Sequence, residues 1–277
     1  MTRQIGACSW SLLPESAADL IGKLQACGLD ACQLHLDPLR TGAWPADHAI
    51  EELFDAGIDV RSGMMSMKGE DYSSLASIQR TGGVRADHHW KENLAAAKAN
   101  AKLASRLALP LVTFHAGFLP HLRGDSERTK LVSRLRELAD VFGHEGVRIG
   151  FETGQESAVT LLDVLDEIGR KNVGVNFDPA NLVLYGTGNP LLAWMSLAPI
   201  TLQVHVKDAL PATAPGAWGT EVPVGTGAID WTQFFKVLRS AHNGCDLMIE
   251  REAGNERVHD IRLAHERVKR ELEAGVA

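Results

Sequence analysis

The sequence is most informative at residues 147–178, which read VRIGFETGQESAVTLLDVLDEIGRKNVGVNFD. An apolar, strand-like run at 147–152 is followed by a helical pattern at Ser157–Gly169 and by a second strand-like run at 172–178. This order is typical of parallel strands, because parallel neighbours need a crossover connection that is usually a helix. The two runs end on Glu152 and Asp178, so the segment predicts two parallel strands with an acid at each carboxyl end.

The same alternation extends along the whole chain. The strand-like runs occupy residues 4–9, 31–36, 58–65, 110–115, 147–152, 172–178, 201–206 and 245–250. The helical patterns are Glu15–Cys27, Asp47–Ala56, Asp87–Leu107, Glu127–Phe142, Ser157–Gly169, Pro190–Leu197, Trp231–His242 and about Glu256–Glu273. Eight strands that alternate with eight helices predict an α/β protein with the (β/α)8 TIM-barrel fold. No linker divides the chain, so we expect a single domain over residues 1–277.

The alternative architecture is a doubly wound open sheet. Such sheets usually have a glycine-rich first turn that binds a phosphate. The first turn of this chain reads Ser9-Trp10-Ser11-Leu12 and has no such pattern. The sequence therefore favours the closed barrel.

Composition limits the classes of function. The chain has 28 basic and 35 acidic residues and a formal charge of −7, which disfavours a nucleic-acid partner because nucleic-acid surfaces are basic. No apolar run approaches the roughly 20 residues of a membrane-spanning helix, and the first residues do not resemble a secretory leader. We therefore expect no membrane association and a cytoplasmic location. The four cysteines lack a metal-binding spacing and are expected to be reduced, buried thiols.

Candidate metal ligands end four successive strand-like runs. They are Glu152, Asp178, His205 and Glu250. Because the carboxyl ends of barrel strands meet at one face, we expect these side chains to converge on one divalent cation. Three carboxylates and one imidazole suit Mn2+, Mg2+ or Co2+ better than a structural zinc, and Zn2+ is a further candidate.

Other polar residues are expected around these ligands. Strand geometry of period two places Asn176 and Gln203 on the inner face, directly below the ligands, where their amides can orient the ligands by hydrogen bonds. Two long connections, residues 66–90 and 207–230, are expected at the same end of the barrel and are candidate walls of a substrate site. The expected substrate contacts are His115, Asn181, Lys207, Trp218 and Arg251.

At these residues the sequence resembles the xylose isomerase-like barrel superfamily, and within it the sugar phosphate isomerase/epimerase branch that includes ketose 3-epimerases. The resemblance covers essentially the whole chain. It is most specific in residues 151–156, 174–182, 204–209 and 218–227, which read FETGQE, GVNFDPANL, VHVKDA and WGTEVPVGTG.

The resemblance implies one cation, commonly Mn2+, bound by the four ligands. It also implies that Glu152 and Glu250 form an acid/base pair on opposite sides of a bound sugar. Such an enzyme removes a proton next to the carbonyl of a ketose, keto-sugar or polyol-derived substrate and passes through a metal-stabilised enediolate. Relatives of this kind are often dimers or tetramers, so a homodimer or homotetramer is expected.

Two positions depart from the pattern of the epimerases. Three residues after the metal aspartate they often have a histidine, where this chain has Asn181, and six residues after the metal glutamate they tend to have an acid, where this chain has Ala158. Both departures concern contacts to substrate hydroxyls, so they leave the sugar open. The alternatives are a metal-dependent lyase or dehydratase acting on a keto-sugar or inosose, an apurinic endonuclease-like hydrolase and a non-catalytic sugar-binding barrel.

Overall fold

The computed structural model describes residues 3–214, 216–241 and 244–274. In chain order, its strands are β1 (Ile5–Cys8), β2 (Ala31–His35), β3 (Asp59–Met64), β4 (Leu111–Phe114), β5 (Arg148–Glu152), β6 (Val173–Phe177), β7 (Thr201–Val206), β8 (Asp208–Leu210), β9 (Thr220–Val222) and β10 (Asp246–Ile249). All of them except β8 and β9 form a closed parallel barrel in the order β1-β10-β7-β6-β5-β4-β3-β2. The predicted (β/α)8 TIM barrel is therefore confirmed.

Helices cover the outside of the barrel and its carboxyl end. They are α1 (Ala17–Ala26), α2 (Asp37–Thr41), α3 (Ala46–Asp55), α4 (Leu75–Thr81), α5 (Asp87–Arg106), α6 (Ser126–His144), α7 (Ala158–Ile168), α8 (Pro179–Tyr185), α9 (Pro190–Leu197), α10 (Trp231–Ser240) and α11 (Arg257–Glu273). Each predicted helix is present: the bounds of α9 match the prediction, and the others shift at one or both ends. His242, the predicted end of α10, lies outside the described residues. The short helices α2, α4 and α8 were not predicted. None of the described helices is long and apolar enough to cross a membrane.

Alternation along the strands sends polar side chains inward and aromatic side chains outward. In β6, Phe177 packs outward against Trp194 of α9, with ring centroids 5.1 Å apart, and against Phe234 of α10 at 5.9 Å. All three rings are almost fully buried, and contacts of this size dominate the energy of a core. Because Phe177 is fixed on the outer side, its neighbours Asn176 and Asp178 point into the barrel.

The connection after β7 is anchored by a buried carboxylate. Asp208 accepts hydrogen bonds from the backbone amides of Gly225 (2.8 Å) and Gly227 (3.2 Å) and from Nε1 of Trp231 (2.9 Å). A Cβ on Gly227 would lie 2.1 Å from Asp208 Oδ1, so only glycine fits there. The β8–β9 hairpin and the turn that follows are thereby fixed beside the end of the barrel.

Candidate metal centre

Four side chains converge at the carboxyl end of the barrel, and they are the four predicted ligands. Glu152 ends β5, Asp178 follows β6, His205 lies in β7 and Glu250 follows β10. One ligand atom from each residue lies within 4.8 Å of the others. Glu152 is 9% exposed and the other three are 3% exposed or less. Four donors this close, from four separate strands, form a candidate site for one cation.

The imidazole of His205 is oriented by both of its ring nitrogens. Nδ1 faces the carboxylates, 3.3 Å from Glu250 and 3.5 Å from Glu152. On the other side of the ring, Nε2 lies 2.8 Å from Oε1 of Gln33. An amide oxygen accepts hydrogen bonds only, so in the tautomer with the proton on Nε2 the ring donates to Gln33 and directs the lone pair of Nδ1 at the cluster.

A buried carboxylate oxygen indicates that the cluster fits a metal ion. Oδ1 of Asp178 accepts hydrogen bonds from the amides of Ala180 (2.7 Å) and Asn181 (3.0 Å), where it caps α8. Oδ2 is buried and has no hydrogen-bond partner among the described residues. A buried polar atom without a partner is costly, and a cation within the cluster would satisfy it. The donor set, three carboxylates and one imidazole nitrogen, fits a divalent cation such as Mn2+ or Mg2+.

The carboxyl groups of the cluster repel each other, and the pKa values of two of them are shifted in opposite directions. Burial raises the pKa of Asp178 well above its ordinary value, although Lys207 opposes the shift. Burial also acts to raise the pKa of Glu250. The nearby charges of Lys207 and His205 outweigh this effect, so the pKa of Glu250 lies well below its ordinary value. A bound cation would favour the ionised form of every carboxylate that it contacts. A cation within the cluster would therefore offset the repulsion between these carboxylates.

The amides predicted below the ligands lie there and form a chain. Gln203 donates from Nε2 to Gln33 Oε1 at 2.8 Å and to Asn176 Oδ1 at 3.2 Å. Asn176 in turn places its Nδ2 3.3 Å from Glu152 Oε2 and 3.0 Å from His205 Nε2. All three amides are almost completely buried. Together they fix the orientation of the ligands above them, as outer hydrogen-bond partners do in metal sites.

A cavity of about 430 Å³ opens above the cluster. Four of the five predicted substrate contacts line it, namely His115, Asn181, Lys207 and Trp218. Lys207 is buried, with its Nζ 3.0 Å from Glu250 Oε2 and 2.6 Å from Glu252 Oε2. Asn181 donates to Glu152 Oε1 at 2.8 Å. The polar floor of the cavity is therefore continuous with the cluster.

The fifth predicted contact, Arg251, does not line the cavity, and this expectation is corrected. Its guanidinium binds Glu221 at 2.7 Å and Asp260 at 2.9 Å. The side chain that follows Glu250 points to the other side of the chain, since successive residues of an extended segment alternate. Arg251 therefore joins the β8–β9 hairpin to α11 rather than contacting a substrate.

Several cavity residues were missed by the sequence analysis. They include Trp10, Tyr185 and Glu252, whereas Glu70 and Tyr72 lie in the connection 66–90 that was predicted to form a wall of the site. Trp10 donates from Nε1 to Glu250 Oε1 at 2.9 Å, and Tyr185 packs edge-on against Trp218 with centroids 4.9 Å apart. The position of Glu252, two residues beyond Glu250, was a signal that period-two geometry could have found. No comparable signal marked the aromatic residues.

Fold and cluster together define a (β/α)8 barrel with a candidate metal centre at its carboxyl end. The profile of the xylose isomerase-like TIM barrel family matches residues 21–273, so the chain belongs to this family. The resemblance noted in the sequence is thereby confirmed. No curated protein matches the chain in a sequence comparison.

Solved structures share the whole fold. A xylose isomerase domain protein from Planctomyces limnophilus is 28% identical, with a TM-score of 0.86 over 98% of this chain and 96% of that chain. A probable 3-DHS dehydratase, AsbF, from Bacillus anthracis is 17% identical, with a TM-score of 0.72 over 96% and 98% of the two chains. An L-ribulose 3-epimerase is 16% identical, with a TM-score of 0.74 over 99% and 95%. The last two identities are low enough that these likenesses establish the fold alone.

Proposed function

We propose that the protein is a divalent-metal-dependent sugar isomerase or epimerase with one cation, Mn2+, per chain. It moves a proton on a carbon next to the carbonyl of a ketose, keto-sugar or polyol-derived substrate. The observation that carries the proposal is that Glu152 and Glu250 belong to the cluster and also line the cavity. Their strands are separated by two others in the barrel order, so the two carboxylates approach a bound molecule from different directions.

The side chains of the cavity are suited to proton transfer at carbon. One glutamate takes the proton from one face of the substrate, and the other returns a proton on the opposite face, through an enediolate. Positioned proton transfer of this kind contributes typically about 10²–10⁴-fold to a rate. When bound, the cation would act as a Lewis acid that stabilises the negative charge of the enediolate.

The two glutamates have different partners, which keeps each of them in place. Glu250 accepts from the ammonium of Lys207 at 3.0 Å and from Trp10 at 2.9 Å. Glu152 accepts from Asn181 at 2.8 Å and lies 3.8 Å from Nε2 of His115. Lys207 and His115 also line the cavity, so each can bind a substrate oxygen while it orients a glutamate.

The proposal is tested by exchange of carbon-bound protons with solvent. The Mn2+-loaded protein is mixed with ketoses, inososes and keto-glycosides in D2O, and exchange is followed by proton NMR. We expect exchange into at least one substrate with the native protein and none with Glu152→Gln or Glu250→Gln. The exposed Glu92→Gln is the matched control and should exchange normally. Elemental analysis of each variant in saturating Mn2+ separates a lost proton-transfer group from a lost metal.

A lyase or dehydratase is the second candidate. It begins with the same proton removal and ends with the loss of a β-hydroxyl, which needs an additional proton donor. His115 offers one, since it lines the cavity and its Nε2 lies 3.8 Å from Glu152 Oε1. The NMR spectra of the products distinguish the candidates, because only elimination creates a product that has lost water. Exchange that is unchanged in both glutamine variants would refute either reaction.

A further inference from the structure

A thiol lies directly beside the candidate metal centre. Cys8, at the end of β1, is fully buried, and its Sγ is 3.6 Å from His205 Nε2 and 3.6 Å from Gln33 Oε1. All four cysteines of the chain lie within the described residues, are buried and form no disulfide. Cys8 therefore differs from the other three by its position next to a candidate metal ligand.

Cys8 belongs to a second group of potential ligands. One ligand atom each from Cys8, His205 and Glu250 lies within 4.8 Å of the other two. This set has one sulfur, one nitrogen and one oxygen donor, whereas the carboxylate-rich set has no sulfur. Thiolate and imidazole donors select Zn2+ and similar soft cations, and three protein ligands are enough for a tetrahedral zinc with one open position.

We propose that Cys8, His205 and Glu250 form an overlapping site for a thiophilic divalent cation such as Zn2+ or Cd2+. On binding, the thiol of Cys8 loses its proton to solvent and the sulfur binds as a thiolate. Occupation of this site excludes a cation from the carboxylate-rich set, because the two sets share His205 and Glu250. A soft cation bound at Cys8 therefore displaces the Mn2+ of the proposed function and inhibits the enzyme.

The ring of His205 supports this mutual exclusion. Sγ approaches Nε2, whereas Nδ1 is the nitrogen that faces the carboxylates. A neutral imidazole has one nitrogen with a free lone pair, so the ring can bind only one cation at a time. Binding at Nε2 would also replace the 2.8 Å contact with Gln33, which otherwise fixes the ring for the carboxylate-rich set.

The site is tested by titrating the metal-free, full-length protein with Cd2+. A cadmium–thiolate bond gives a charge-transfer absorption in the ultraviolet, so this measurement is independent of enzymatic activity. We expect the band in the native protein and its loss in Cys8→Ser. Cys32→Ser is the matched control: Cys32 is equally buried in the neighbouring strand and is absent from the metal-capable groups found among the described residues. The Cys32→Ser variant should retain the absorption band.

Competition tests the overlap. Prior saturation with Mn2+ should shift the Cd2+ titration to higher concentration in the native protein. A band that persists in Cys8→Ser, or that never forms in the native protein, would overturn the proposed site, and a titration that Mn2+ leaves unchanged would overturn the shared ligands. Circular dichroism checks folding, and Cys8→Val replaces the serine variant if that variant does not fold. Mn2+ stoichiometry, measured by elemental analysis, reports separately on the proposed function.

Discussion

Replacing Trp10 with phenylalanine would test whether a hydrogen bond from outside the ligand set contributes to metal binding. Trp10 donates from Nε1 to Glu250 Oε1 at 2.9 Å, and phenylalanine retains an aromatic ring while removing the donor. A hydrogen bond to a charged group contributes about 1.5–3 kcal/mol, which corresponds to roughly 10- to 140-fold in affinity. Trp10 is half-buried at the cavity wall, where water can replace part of the lost donor. We therefore expect Mn2+ to bind about tenfold more weakly, at the lower end of this range.

The assay is the Kd of Mn2+, measured from the electron paramagnetic resonance signal of the free ion. Trp44→Phe is the matched control, because Trp44 also donates one hydrogen bond from Nε1, at 3.1 Å, but to the backbone oxygen of Glu15. Both variants lose the same donor, and of the two tryptophans only Trp10 contacts a candidate metal ligand. An unchanged Kd for Trp10→Phe, or an equal loss in the two variants, would refute the reasoning.

Three further variants address charge, pH and stability. Lys207→Met removes a positive charge 3.0 Å from Glu250, so Mn2+ should bind at least as tightly in a titration while deuterium exchange falls about 10²-fold or more. Burial raises the pKa of Glu156 from 4.5 to about 7, so this group's contribution to folding stability is complete below pH 4.5 and is lost as the pH rises to about 7. Glu156→Gln should therefore increase the free energy of unfolding by up to about 3 kcal/mol above pH 7, and change little below pH 4.5, in urea titrations. Arg128 is fully buried and binds Glu167 at 2.7 Å, so Arg128→Met should lower the free energy of unfolding by about 3 kcal/mol.

Each of these expectations can fail in a distinct way. Weaker Mn2+ binding in Lys207→Met would mean that the lysine supports the metal rather than the substrate. A stability difference between Glu156→Gln and the native protein that does not change with pH would contradict the raised pKa. For Arg128, the exposed Arg262→Met provides the baseline, and an equal effect in both variants would show that the buried ion pairs contribute nothing.

The barrel was predictable because its signal is local and repeated. Beyond their first residues, β5 and β6 are buried on both faces and therefore read as mostly apolar runs; Glu152 ends β5 and Asp178 directly follows β6. The short helices were not predictable from periodicity, since α2 has five residues and α8 has seven, which is at most two turns.

The site was predictable only in part. Gln33 could have been found, because a polar residue within the apolar run 31–36 needs a buried partner. Trp10 and Tyr185 gave no such signal, because an aromatic residue outside the predicted helices and strands reads as core until the tertiary structure shows which connection covers the cavity. Arg251 was assigned to the wrong side because it is adjacent to Glu250, although alternation turns neighbouring side chains apart.

The two residues that follow β7 have opposite charges and point to opposite sides of the chain. Lys207 faces the cavity, whereas Asp208 lies outside it and accepts hydrogen bonds from the turn that contains Gly225 and Gly227. Deleting one amino acid before Lys207 would move Asp208 to the cavity-facing position and bring a fourth carboxylate to the candidate metal centre, whereas inserting one would place the ammonium of Lys207 against the amides of the turn. The length of this strand is therefore fixed, whereas the exposed residues 211–214, in the connection that leads to the cavity residue Trp218, can accept a change of length. Redesign of the protein for a different ligand should begin in that segment.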